Sequence, residues 1–314
     1  MEYFGGHQMK DRYEVIADID ELRWFFENVL YKPAVNEAYQ AVLAARFKKL
    51  TDEERAEVGI AKNESEFLMT QTFRLKGFKR AADLDVDDGW TFENFLKKLR
   101  RFNVDQQAYL TTGGYPLPEK CLTTLIYVNP CDEIKVADEI MRTLEETKTA
   151  IVKAMLNGKT LETNLQSYQV FSNIDGKLKR ARAHCKGSSY WLDFDLDCPE
   201  WFKSEENEYV STMKLALTKH FGANNYIIID TSGGYHIMVR PRGLHSNPRN
   251  FCTEVEKIYE AALLNDGMPQ YLDSKGNHKF ECILNDCQIP GLPLPGTFQY
   301  GRPVKVINKE DFRP

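Results

Sequence analysis

No stretch of this 314-residue chain is apolar for long enough to cross a membrane, and the opening MEYFGGHQMKDRYE lacks the apolar centre of a secretory leader. A soluble cytoplasmic protein with no membrane partner is the expectation. Cysteine is sparse and unpatterned: the seven are odd in number, and none forms a C-x-x-C pair. That excludes a disulfide framework of the secreted type and points to reduced thiols. His278, Cys282 and Cys287 fit no zinc spacing and lack an evident fourth ligand, so no structural zinc is expected. Internal repeats and low-complexity tracts are missing too. So is a basic excess: a net charge of −5 argues against a protein that simply coats nucleic acid. With 42% hydrophobic and 28% charged residues, the composition is that of a folded globular protein of one large or two modest domains.

The charge that is present is unevenly placed. The segment 176-GKLKRARAHCKG-187 carries Lys177, Lys179, Arg180, Arg182 and Lys186 without an acid, and 191-WLDFDLD-197 follows at once. In a strand, Asp193, Asp195 and Asp197 project to one face while Leu192, Phe194 and Leu196 take the other. Three carboxylates at that spacing repel one another unless cations arrive. A solvated acidic edge is one reading. A site for a hard divalent ion such as Mg²⁺ is the other, and the acidic strand works too hard against β-propensity to be ornamental. The basic run beside it suits a phosphate backbone or, equally, a solvated loop.

Residues 1–100 read as mainly helical: DIDELRWFFENVL, NEAYQAVLAARFKKL, a capping box at Thr51 and Glu54, and TFENFLKKLRRF after Thr91. They form an expected accessory region, with residues 101–314 as the core. There LTTLIYV predicts a strand and EIKVADEIMRTLEETKTAIVKAMLNG a long helix closed by Gly158. Strand SYWLDFDLD, helix ENEYVSTMKLALTKHFG, strands YIIID and YHIMVR joined by TSGG, and helix PRNFCTEVEKIYEAALL follow. The Thr-Ser-Gly-Gly connection is too short for a parallel crossover, so the fold class is α+β with a mixed or antiparallel sheet.

Two further clusters carry chemistry. In 227-IIIDTSGGYHIMVR-240, the Gly233 and Gly234 amides and the Ser232 hydroxyl can meet a phosphate, and His236 can donate to one; the alternation puts His236, Met238 and Arg240 on one face. In 283-ILNDCQIPGLPLPGTFQYGRPVKVI-307, Asp286 can complete a carboxylate set. Thr297, Arg302 and Lys305 can hold phosphates, Phe298 and Tyr300 can stack on a base, and a hairpin is expected around Tyr300, Gly301 and Arg302.

The order D-x-D, S-x-x-x-H, then a downstream Asp resembles the motif order of the archaeo-eukaryotic primase superfamily, in the primase-polymerase form found in phages and mobile elements. DFDLD is similar to its first motif, SGGYH to its second, and Asp286 with the trailing LPGT to its third; Leu294 stands where that motif carries an arginine. The tract 127-YVNP-130 is similar to the one that precedes the first motif. The resemblance covers about residues 100 to 310 and leaves the first hundred unmatched. It implies an RNA-recognition-motif-like palm, two Mg²⁺ or Mn²⁺ ions, and template-directed nucleotidyl transfer from NTPs or dNTPs on single-stranded DNA. Primer synthesis, extension, gap filling and terminal transfer share such a site. Asp193, Asp195 and Asp286 are the implied catalytic ligands, with Asp197 as an alternate, and the pairing within the first motif stays open. Ser232, Gly233, Gly234 and His236 would hold the triphosphate, supported by Arg240, Arg302 and Lys305. Lys177, Lys179, Arg180 and Arg182 would hold template, and a replicative helicase or single-strand-binding protein is the implied partner. A replication-initiation module with a non-catalytic primase fold is the competing class. A glycosyltransferase D-x-D would not need the Ser-Gly-Gly-x-His turn, and a dehalogenase-type phosphatase would not follow its aspartates with Cys198 and Pro199.

Overall fold

The computed structural model describes residues 12–34, 36–47, 50–60, 73–74, 90–103, 105, 110–111, 113–156, 185, 187–197, 208–240, 250, 253–254, 257–258, 280–281 and 291–312. Five helices and eleven strands are described: α1 (Ile19–Asn28), β1 (Glu37–Ala45), α2 (Asp52–Glu57), β2 (Phe73–Arg74), α3 (Phe92–Leu99), β3 (Leu122–Asp132), α4 (Glu133–Leu156), β4 (Leu192–Asp197), α5 (Glu208–Phe221), β5 (Tyr226–Thr231), β6 (Gly234–Val239), β7 (Phe280–Glu281), β8 (Leu292–Pro293), β9 (Phe298–Gln299), β10 (Arg302–Pro303) and β11 (Lys305–Val306). They form a mixed α+β fold with two antiparallel sheets. The first runs β10-β9-β3-β1-β2, with β8 also on β3; the second runs β11-β5-β6-β4-β7.

Local chemistry explains the helix starts. The Asp18 side chain accepts from the amides of Asp20 and Glu21, Thr51 and Glu54 form a reciprocal capping box, and Thr91 caps Asn94. One expectation fails. Residues 36–50 read as helix, yet Glu37–Ala45 is a strand paired with β3 from Glu37↔Asp132 to Ala45↔Leu122. All nine of its residues are buried, so no polar alternation marks it, and its alanines mimic a helical composition. Long-range pairing overrides that propensity. Among the described residues, the first hundred are therefore mixed and not mainly helical, and the first sheet draws strands from both sides of residue 100.

The two sheets share one apolar core. Leu22, Phe25 and Phe26 of α1, Leu43 of β1 and Ile126 of β3 join Ile227, Ile229 and Met238 of the second sheet in it. Each such side chain contributes about 1.5–3 kcal/mol on burial. On the other face of the second sheet, Phe194 meets Phe221 of α5 at 6.1 Å, and the Tyr226 hydroxyl lies 3.1 Å from that of Thr218. Trp191, immediately before β4, is buried and donates its indole N–H to the Val29 carbonyl at 3.0 Å. Residues 291–312 serve both sheets, as β8, β9 and β10 in the first and β11 in the second. Buried Glu21 accepts the Val306 amide at 2.8 Å and pairs with Lys309.

Candidate nucleotide and metal site

The aspartate strand is placed by an amide side chain. Asn129 of β3 is buried; its Oδ1 accepts the amides of Tyr190 and Trp191 at 2.7 and 2.9 Å, and its Nδ2 donates to the Trp191 carbonyl at 2.7 Å. It imitates a neighbouring strand at the entry to β4, so it fixes the register two residues before Asp193. The YVNP tract drew attention in the sequence, but this bracing role of its asparagine did not.

Beyond that brace, β4 pairs antiparallel with β6, Asp193 opposite Met238, Asp195 opposite His236 and Asp197 opposite Gly234. Alternation does what the sequence implied: Phe194 and Leu196 are fully buried, while Asp193, Asp195 and His236 share the opposite face. His236 lies between the two carboxylates. Its Nδ1 is 3.2 and 3.1 Å from the two oxygens of Asp193, and its Nε2 is 3.5 Å from Asp195 Oδ1. Asp193 and His236 are buried, with side chains 5% and 9% exposed, whereas the Asp195 side chain is 32% exposed. Glu281 of β7 stands opposite Asp195 in register, a carboxylate position that sequence reading passed over.

The Ser-Gly-Gly connection closes the β5–β6 hairpin, with Thr231 opposite Gly234 and the Thr231 hydroxyl donating to the Gly234 carbonyl at 3.0 Å. Gly233 does not sit at positive φ, so turn geometry alone does not call for glycine there. The Ser232 amide donates to Gln299 Oε1 at 2.7 Å, which carries the β9–β10 hairpin up to this turn. Tyr300 and Gly301, at φ 53 and 80, make the tight turn expected there, and Arg302 is exposed opposite Gln299. Gln299 pairs with Thr123 of β3. The buried hydroxyls of Ser232 and Thr123, on either side of Gln299, have no hydrogen-bond partner among the described residues. Leaving one such group unsatisfied costs about 1–3 kcal/mol, which a phosphate oxygen can offset.

Other expected residues lie elsewhere. Arg240 follows the far end of β6; its guanidinium stacks 4.4 Å from the Phe312 ring and 5.6 Å from Trp191. Lys305 pairs with Asp230, whose parity in β5 is opposite to that of Ile229, the residue facing His236. Lys305 therefore belongs to the α5 side of the sheet. Thr297 is fully buried and donates its hydroxyl to the Leu294 carbonyl at 2.7 Å. Leu294 is itself fully buried, so no basic group stands at that place. Phe298 lines a cavity of about 70 Å³ with Tyr13, Val15 and Thr124, on the side of β9 away from Gln299. Asp286, the basic run Lys177, Lys179, Arg180 and Arg182, and the trio His278, Cys282 and Cys287 lie outside the described residues. Among the described residues, no group of three or more His, Cys, Asp or Glu side chains is arranged to hold an ion, and no helix is long and apolar enough to cross a membrane.

No protein-family model, curated protein or solved structure matches this chain.

Proposed function

We propose that this chain is a template-directed nucleotidyltransferase, a primase or primase-polymerase that joins NTPs or dNTPs on single-stranded DNA. The observation that carries the reading is the pairing of Asp195 with His236 across adjacent strands, close to the Ser232 hydroxyl, which has no hydrogen-bond partner among the described residues. Two motifs whose paired residues, Asp195 and His236, are far apart in the chain thereby meet at one place. In this reading the second sheet, with α5 on one face and the acidic cluster on the other, is the palm, and the protein works in the cytoplasm beside a replicative helicase or single-strand-binding protein.

The donor chemistry fits a hard cation at Asp195, whose half-exposed carboxylate oxygens can be reached by water and phosphate. Asp286 and Asp197 join it in the proposed ligand set. A Mg²⁺ or Mn²⁺ ion supplies charge neutralisation at the triphosphate and activation of a 3′-hydroxyl when bound. The chain's own groups then do the positioning. The Ser232 hydroxyl and the Gly233 and Gly234 amides receive phosphate oxygens at the hairpin, His236 presents Nε2 towards the Asp195 side, and exposed Arg302 adds a positive charge beside Gln299. Arg240 and Lys305 take no part.

Incubating the protein with single-stranded templates, labelled nucleotides and Mg²⁺ or Mn²⁺, with and without a primer, tests this. Template-dependent products are expected. Single-strand binding without any incorporation would instead support the non-catalytic initiation module.

A further inference from the structure

The cavity of about 70 Å³ beside Phe298 plays no part in the proposed reaction; its described lining draws on β1, β3 and β9 of the first sheet and on no strand of the second. Register fixes what faces it. Thr124 stands opposite Leu43 and Thr123 opposite Gln299, so Leu43, Leu122, Thr124 and Phe298 share one face of the sheet. Tyr13 and Val15 complete the walls. The Tyr13 hydroxyl donates to the Leu117 carbonyl, which leaves its ring for the cavity. Thr124 is only 1% exposed, and its hydroxyl has no hydrogen-bond partner among the described residues. A buried hydroxyl in that state favours any group that can bond to it. Glu14 and Glu119 line the same cavity from exposed positions and so mark its mouth; among the described residues no Lys, Arg or His lines it. Burial and then the Glu119 charge push the Tyr13 hydroxyl up to about 12, which sets that carboxylate close to the buried ring. A cavity of roughly 150 Å³ takes up benzene, so this one suits about four non-hydrogen atoms. We infer that it binds a short amino alcohol, taken up hydroxyl first, with the hydroxyl on Thr124 Oγ1 and the ammonium on the Glu14 and Glu119 carboxylates. The methylenes lie against Val15, Leu43 and Leu122, and the rings of Tyr13 and Phe298 add attraction for the charge. Because the hydroxyl end enters, an esterified lipid head group does not fit, and the ligand is a free small molecule. The inference stands apart from the nucleotidyltransferase reading.

Three compounds of equal size test it on the full chain at neutral pH and constant ionic strength: 2-aminoethanol, n-propylammonium, which lacks the hydroxyl, and propan-1-ol, which lacks the charge. Binding is read from the ¹³C-methyl signals of Val15, Leu43 and Leu122, assigned by single substitutions to isoleucine. With 2-aminoethanol these signals should move saturably, at an affinity at least about tenfold above that of either other compound, as the loss of one hydrogen bond to a charged or buried partner requires. Thr124→Val keeps the shape of the side chain and removes a hydroxyl without a partner, so the variant should fold; it should lower 2-aminoethanol to the affinity of n-propylammonium. Glu14→Gln with Glu119→Gln, at exposed positions, should lower it to that of propan-1-ol. Equal affinity for all three compounds, or full 2-aminoethanol affinity in either variant, overturns the inference. No movement of the three methyl signals in the wild-type chain overturns it as well, and the cavity then holds water alone.

Discussion

Asp195 is the side chain whose loss should separate chemistry from folding. It is half-exposed beside a buried Asp193–His236 pair, so Asp195→Ala removes a repelling charge without opening the core. Nucleotide incorporation should vanish while the melting temperature holds or rises; primer extension at the wild-type rate would refute the two-ion reading of this strand. His236→Ala should behave differently. It leaves the Asp193 carboxylate buried without its partner, at a cost of about 3–5 kcal/mol by urea denaturation, most of which Asp193→Asn in the same chain should restore. Asn129→Ala strips three backbone hydrogen bonds at the entry to β4, two of them buried, and should cost about 2–4 kcal/mol. Had the residue types alone decided, Arg240 and Lys305 would have joined the site. Parity along β5 and distance along β6 excluded them, and neither can be judged until strand pairing is known.

At the level of elements, the sequence revealed what local chemistry controls. The capped helices, the acidic strand with its alternating faces, the two-residue β5–β6 hairpin and the tight turn at Tyr300 and Gly301 all formed as expected. β1 did not, because a strand buried on both faces carries no period to read. The docking of the β9–β10 hairpin onto Ser232 was equally hidden, since Gln299 and Ser232 are 67 residues apart. Gly296 anchors that region: at φ +81, an added Cβ would meet the Asp18 carbonyl and the Leu22 amide at 2.6 Å. Gly296→Ala should therefore cost at least about 2 kcal/mol and lower the denaturation midpoint. The contact of Glu254 with Lys219 and His220 of α5 makes a pH prediction. Hydrogen bonds from His220 and then Lys219 hold the Glu254 carboxyl below its ordinary value of 4.5. A depressed carboxyl contributes stability that is present above 4.5 and lost as pH falls through the lower folded value. Glu254→Gln should remove that part of the acid dependence, read as a smaller loss of stability as pH falls below 4.5.

For the molecule as a whole, the acidic balance of −5 makes long-range attraction to DNA weak, so the proposed template binding has to rest on local cations. Replacing Lys177, Lys179, Arg180 and Arg182 together by glutamine should weaken single-strand binding and flatten the log–log salt dependence by up to about 0.7 per lost phosphate contact. Nucleotide binding should change little. An unaltered slope would move the template contacts to other cations such as Arg302.

The dual service of residues 291–312 bears on how a nascent chain reaches this state. Val306 reaches Glu21 across 285 positions, and β8 through β11 close both sheets, so neither sheet is complete until the segment that carries Val306 has been synthesised. Until then β3 and β5 expose unpaired edges, and the shared core lacks Val304 and Val306. Folding should accordingly be slow, with most of its barrier paid in closing that loop, and a release factor that arrives early would leave an aggregation-prone intermediate for chaperones to hold.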